Sequence, residues 1–365
     1  METKRNSNFE LLRILTMLCV VASHGCVFSF TTPGFLGKFY SLYYAFGYAG
    51  LNSFFMMSGY FMGNRPTISK KKILSIFVQV MYCQFLALAI FLVLKTSGLC
   101  SYSGITVMQY FGFIIEFYML PITSDIYWYI TAYIILLALL PVINPFIQKL
   151  NQKGFIILLL VEGILWFGFS ELRHYRYAHV QRAVFFYSLG AFFKIYANQK
   201  STKRLIASIL LFIPVYLCST YAFMAFHNLP ENGSAYMDMA LHFISYAILS
   251  PLTSILMFEV FKNLTFSCPA INLISATTFS IYILHCQPFV GYPRMIFAPQ
   301  ASLDMGTAKC LMYSLANWIS TFAVCSMLDL IRLKLLNNKI NFFTEKLLSL
   351  IDSKLYIHEN SEKAE

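Results

Sequence analysis

Charge is what this sequence has least of. Charged residues occupy 12% of the 365 positions, and only 16 are Asp or Glu, whereas soluble domains carry about 25% charged residues. With 58% hydrophobic residues and a mean hydropathy of +0.63, the chain lacks the polar surface of an ordinary soluble domain. It is expected to be an integral membrane protein, folded as one helical bundle. No CxxC pair or Cys/His metal spacing exists among the nine cysteines. Most of them lie in apolar runs, where Cys acts as a small hydrophobe, so neither disulfides nor a metal site is expected. A P-loop, a dinucleotide glycine fingerprint, a G-x-S-x-G elbow and an H-E-x-x-H helix are all missing. Nothing in the motifs points to ATP, NAD, a redox cofactor or zinc. No small-residue cleavage site follows the short polar start METKRNSN, so the first helix is expected to remain in the mature protein.

Positive charge, in contrast, is in excess, with a net +11. In an apolar chain this is read as Lys and Arg gathered in cytoplasmic loops, and not as a nucleic-acid surface. The first hydrophobic run, Phe9 to Phe30, is long enough to cross a bilayer and still carries Arg13 and His24. Ionisable residues inside a transmembrane segment are costly and default to function. Eleven steps of roughly 100° return almost to the starting angle, so both side chains share one stripe, roughly 16 Å apart along the axis. A cation near one membrane face with a titratable imidazole deeper in suits chemistry inside the membrane. The plainer alternative is that Arg13 snorkels to the headgroups and His24 only hydrogen-bonds between helices.

Further spans are expected at about 39–62, 73–94, 126–147, 155–169, 180–196, 205–226, 236–261, 271–289 and 311–331, ten in all at roughly 20 residues each. The piece 105–120 carries Glu116, is short for a span and reads as re-entrant or interfacial. With both termini inside, Lys70 to Lys72, Lys149 with Lys153, and Lys200 to Arg204 all fall on the cytoplasmic side. The cluster Arg173, His174, Arg176 and His179 dissents, on the outside. The expected architecture is therefore an all-α polytopic bundle over 1–335, followed by a cytoplasmic amphipathic and polar tail over 336–365.

The ninth span contains FSIYILH. Tyr282 and His285 are three residues apart and share a helix face. Two intramembrane histidines on separate helices make a stronger signal than either alone, although both could be structural hydrogen bonders. Glu116, Asp125 and Glu162 are candidates to orient an imidazole or pair with an arginine. Glu10, three residues before Arg13, reads as its salt-bridge partner on the same helix.

Four stretches in this order resemble acyltransferase family 3, the transmembrane O-acyltransferases of exported carbohydrates. They are FELLRILTMLCVVASH with its Arg13 and His24, NSFFMMSGYFM, IYWYITAYIILLALLP led by Trp128, and FSIYILH; RAVFFYSLGAFF also looks like the family's sixth span. The resemblance covers most of the chain, from Phe9 to about Ile331. It implies a donor acyl-CoA used from the cytoplasmic side and a sugar hydroxyl as acceptor. It makes His24 the leading catalytic residue, with Arg13 a required partner. The loop after the second span departs from the family pattern, carrying Arg65 and then Lys70, Lys71 and Lys72. Its charge suits the phosphates of CoA, but bidentate arginine geometry is lost.

The chemistry of the residues agrees. Acyl transfer from a thioester needs a base for the hydroxyl and donors for the developing oxyanion, and no metal. The expected protein is an acetyl-CoA-dependent O-acetyltransferase in a bacterial plasma membrane, acting on a cell-envelope or exported polysaccharide. Its candidate site comprises His24, Arg13 and His285, supported by Tyr282, Trp128, Glu116 and Asp125. The rival is a transporter or flippase of a glycan or acyl intermediate, because intramembrane His and Arg also mark transport paths. Inverted repeats with matched broken helices would favour that rival, and no such pair is visible in the sequence.

Overall fold

The computed structural model describes residues 6–25, 35–65, 69–97, 106, 108–109, 112, 127–167, 178–197, 201–211, 214, 249–287 and 307–362. Among these residues the chain is all-α, without a strand. The helices are α1 (Asn8–Gly25), α2 (Phe35–Met62), α3 (Lys70–Thr96), α4 (Trp128–Lys149), α5 (Gln152–Leu165), α6 (Ala178–Tyr196), α7 (Ser250–Asn263), α8 (Pro269–Ser275), α9 (Thr278–His285), α10 (Thr307–Ile331) and α11 (Asn337–Glu362). A π-helical turn, Arg332–Leu336, joins α10 to α11. Residues 202–211 form a further short helical stretch. Glu116, Asp125 and most of the expected re-entrant piece fall outside the described residues, as does much of the seventh and eighth spans.

Small residues let the helices approach closely. A Cβ on Gly59 would collide with the Tyr187 carbonyl, and one on Gly190 with the Met56 carbonyl. These glycines bring α2 and α6 together backbone to backbone, as small residues do at interfaces between membrane helices. Asn144 of α4 fixes the same corner. Its Nδ2 donates to the Met62 carbonyl (3.1 Å) and the Arg65 carbonyl (2.7 Å), and its Oδ1 accepts from the Tyr187 hydroxyl (2.7 Å). The α1 helix runs through the middle, packing on α2, α7, α8, α9 and α10. Its start is tied down where the Ser7 N–H donates to the Phe266 carbonyl at 2.8 Å.

The outer face is greasy. Ile156, Ile157, Leu160, Val161, Ile164 and Leu165 of α5 are all exposed, a run of apolar surface of the kind that water-soluble monomers rarely carry. Helices α3 and α4 are long and apolar enough to cross a membrane.

The ninth expected span differs from the sequence reading. It is two short helices, α8 and α9, broken at Ala276 and Thr277. The run is apolar enough for one helix, but its hydroxyls compete for the backbone. Thr277 Oγ1 donates to the Ile274 carbonyl (2.7 Å) and Thr278 Oγ1 to the Ser275 carbonyl (2.8 Å). Hydroxyls bonded to the preceding turn satisfy carbonyls released at a break and make it tolerable.

Candidate active site

The α1 stripe delivers its two residues to different places. His24 Nδ1 lies 2.7 Å from His285 Nε2, with the ring centroids 4.8 Å apart and the ring planes within 16° of each other. The other nitrogen of His285, Nδ1, lies 2.7 Å from the carbonyl of Ile281. A carbonyl only accepts, so His285 Nδ1 carries the proton, and Nε2 of the neutral ring is a lone pair. The short contact between the rings must then be an N–H donated by His24 Nδ1. That leaves the lone pair of a neutral His24 on Nε2. The arrangement copies the logic of a catalytic imidazole held by a fixed acceptor behind it. His285 is fully buried, while His24 is only partly so.

Arg13 faces a cavity of about 240 Å³ whose walls include Ser58, Tyr129, Tyr133, Thr278 and Tyr282. Neither histidine lines it. Tyr282 is the link: it forms part of the cavity wall and meets the His285 ring edge-on, at 5.9 Å between centroids. The shared face expected for Tyr282 and His285 is therefore real. Glu10 is more than a helix salt bridge. Its carboxylate lies 3.1 Å from Arg13 Nη1 and accepts a very short hydrogen bond from Ser275 Oγ. The Arg13 guanidinium is thereby held between α1 and the break after α8.

A buried amide network, unread in the sequence, braces the histidine end. Gln84 Nε2 donates to the Tyr127 hydroxyl (3.2 Å), and Gln287 Nε2 donates to Gln84 Oε1 (2.9 Å). Gln287 also makes a very short bond to the Tyr127 hydroxyl, which itself donates to the Ile283 carbonyl at 3.3 Å. Gln79 Nε2 donates to Ser280 Oγ at 2.7 Å. These bonds lock α9 to α3 and Tyr127. The available signal was amide side chains inside apolar helices, which hydrogen-bond across helices.

Tyr282 thus stands between the cavity that Arg13 faces and the His24–His285 pair. The sequence model of acyltransferase family 3, an acyltransferase domain, matches residues 6–328. The chain belongs to acyltransferase family 3. No curated protein and no solved structure matches it.

The remaining candidate residues of this acyltransferase are spread out. Trp128, at the start of α4, stacks on His179 at 4.0 Å and lies 6.0 Å from the Tyr48 ring. The Arg182 guanidinium sits over the Tyr48 ring at 4.7 Å. This aromatic group lies at the histidine end of α1, because Gly47 packs directly on Ser23. Lys70 Nζ pairs with Asp352 (3.0 Å) and Lys71 Nζ with Glu345 (2.6 Å), both on α11. Lys72 Nζ lies 2.8 Å from Met62 Sδ, and Arg65 is exposed. None of these four lines the Arg13 cavity. Glu162 accepts from Ser188 Oγ at 3.0 Å between α5 and α6, apart from the histidines.

Proposed function

We propose that the protein transfers an acyl group, acetyl in the simplest case, from acyl-CoA to a hydroxyl of a cell-envelope or exported carbohydrate. The observation that carries this reading is the oriented histidine pair, with the lone pair of His24 on Nε2. In the reaction His24 Nε2 takes the proton of the acceptor hydroxyl as its oxygen attacks the thioester carbonyl carbon. The imidazolium that forms keeps its Nδ1–H bond to His285. The tetrahedral intermediate collapses, the C–S bond breaks, and the leaving thiolate takes the proton back from His24. Atoms balance as acyl ester plus free CoA thiol.

Arg13 sits roughly 16 Å along α1 from His24, too far to hold the oxyanion. Its role is at the donor, gripping an anionic or carbonyl group of the CoA arm at the cavity while the thioester reaches past Tyr282. Arg65 and Lys70 to Lys72 would meet the CoA phosphates, in competition with the α11 acids. The platform of Trp128, Tyr48 and His179 suits the C–H face of a sugar, and the buried Arg182 backs the Tyr48 ring. The topology that goes with this reading has ten spans in a bacterial plasma membrane, with both termini and the Lys70 loop in the cytoplasm. No metal or redox group has a part in the steps.

The transporter reading gains one observation, the α8–α9 break, since broken helices build transport sites. Mass analysis of envelope glycans from cells with wild-type protein, with His24→Ala and with none decides between the two. The acyltransferase reading expects an acyl mass increment with wild type alone. Unmodified glycans in all three, with unchanged thioester in a purified assay, would reject it.

A further inference from the structure

Helix α11 lies beyond residue 328, where the match to the acyltransferase family ends, and no step of the reaction above uses its outer face. Helical spacing puts Lys339, Phe342, Phe343, Lys346 and Leu350 within one arc of about 100°. All five are exposed, Phe342 by 69% and Phe343 by 57%. The opposite side packs inward, with Thr344 buried and Ile340, Leu347 and Leu348 half-buried. We propose that the exposed arc docks on anionic lipid headgroups of the membrane leaflet at which α3 begins.

Charge and position both select lipid as the occupant. The arc holds two lysines and no acid. Glu345 and Asp352 lie to one side of it, paired with Lys71 and Lys70. Among the described residues, neither Lys339 nor Lys346 pairs with an acid. Aromatic and aliphatic side chains mixed with lysine suit the boundary between headgroups and acyl chains. There the lysine stems lie along the apolar side chains while each ammonium reaches a phosphate. The position follows from two contacts. Helix α10 runs into α11 through the π turn, with Asn337 still helical. The Lys70 and Lys71 pairs then hold α11 against the first turn of α3, a helix long and apolar enough to cross a membrane. Helix α11 is thereby kept at a membrane edge, where its exposed phenylalanines meet lipid.

The side of α11 that pairs with α3 and the side that meets lipid are different. Docking therefore leaves the Lys70–Asp352 and Lys71–Glu345 pairs in place. The identity of the leaflet, cytoplasmic, rests on the topology proposed above. The lipid contact itself rests neither on that topology nor on His24 as a base.

The test uses the full-length protein, one copy per nanodisc, in phosphatidylcholine alone or mixed with anionic phosphatidylglycerol. Hydrogen exchange is followed by mass spectrometry for the amides of α11, with those of α3 as the control for fold. A lysine near an anionic surface gains roughly fivefold in binding, so two should slow α11 exchange in anionic discs by roughly 30-fold. High salt should shrink the difference. Lys339→Gln combined with Lys346→Gln should remove most of it and leave α3 unchanged. His24→Ala should not alter the pattern, so failure of the lipid face and failure of the acyltransferase chemistry are read separately. Equal exchange of wild-type α11 in the two lipids would overturn the proposal, as would lipid-dependent slowing that survives the double lysine variant. Slowing that needs two copies per disc, whatever the lipid, would make the arc a contact between copies and overturn it too. So would slowing that appears only when a soluble protein is added.

Discussion

At the scale of single residues, the account depends on what stands behind each charged group. Glu10 is nearly buried between Arg13 and Ser275, so it is a positioning residue for the guanidinium. Glu10→Gln should raise the KM for acyl-CoA more than it lowers kcat, because donor binding is felt in ground and transition states alike. Arg13→Lys keeps the charge without the planar fork and should raise KM likewise; full activity in Arg13→Lys would reduce Arg13 to a snorkelling cation. His285 acts through His24. A hydrogen bond to a charged partner contributes about 1.5–3 kcal/mol, so His285→Ala should lower kcat by roughly 10- to 100-fold. His285→Gln can offer an oxygen to the His24 N–H and should recover part of that loss. Equal activity in wild type and His285→Ala would make the pair a packing contact.

At the scale of helices, two seams are informative. The α2–α6 contact has no room for side chains at Gly59 and Gly190. Gly190→Val should separate the helices and sharply lower the yield of folded protein in detergent, read by thermal aggregation, whereas Gly112→Ala should not, because the space beside it is open. The second seam joins α3 to α11 through Lys70–Asp352 and Lys71–Glu345. Exposed pairs of this kind hold about 0–1 kcal/mol each, so phosphate can displace them. Replacing Glu345 and Asp352 with Gln and Asn should lower the KM for acyl-CoA, while neutralising Lys70 to Lys72 together should raise it. Unchanged KM in both variants, at normal protein levels, would leave these lysines as topology signals.

At the scale of the molecule, what the sequence could reveal followed from periodicity. The Arg13 and His24 stripe, the Tyr282 and His285 face and the all-α class come from helical spacing and apolar run length, which local sequence fixes. The pairing of His24 with His285 needed the tertiary fold. The nearness of Cys286 to His24 was equally hidden, because it exists only once α1 packs on α9. The α8–α9 break was hidden because its cause, hydroxyls turned back on carbonyls, leaves the run apolar. The Arg13 cavity draws its walls from several helices, so no linear pattern encodes it. Topology remains the whole-molecule prediction. Reporter fusions after residue 68 and after residue 200 should both report cytoplasm, and one at residue 175 the outside. The same side for residues 68 and 175 would mean a miscounted span between them.

The central claim is that His24 Nε2 is the base. The most direct measurement is kcat for acyl transfer by purified His24→Gln beside wild type, with protein level and fold matched. Gln keeps hydrogen-bonding capacity and cannot take up the proton. If His24 Nε2 is the base, kcat falls by roughly 10²- to 10⁴-fold, the contribution of a positioned base. Turnover at the wild-type rate in His24→Gln would contradict it.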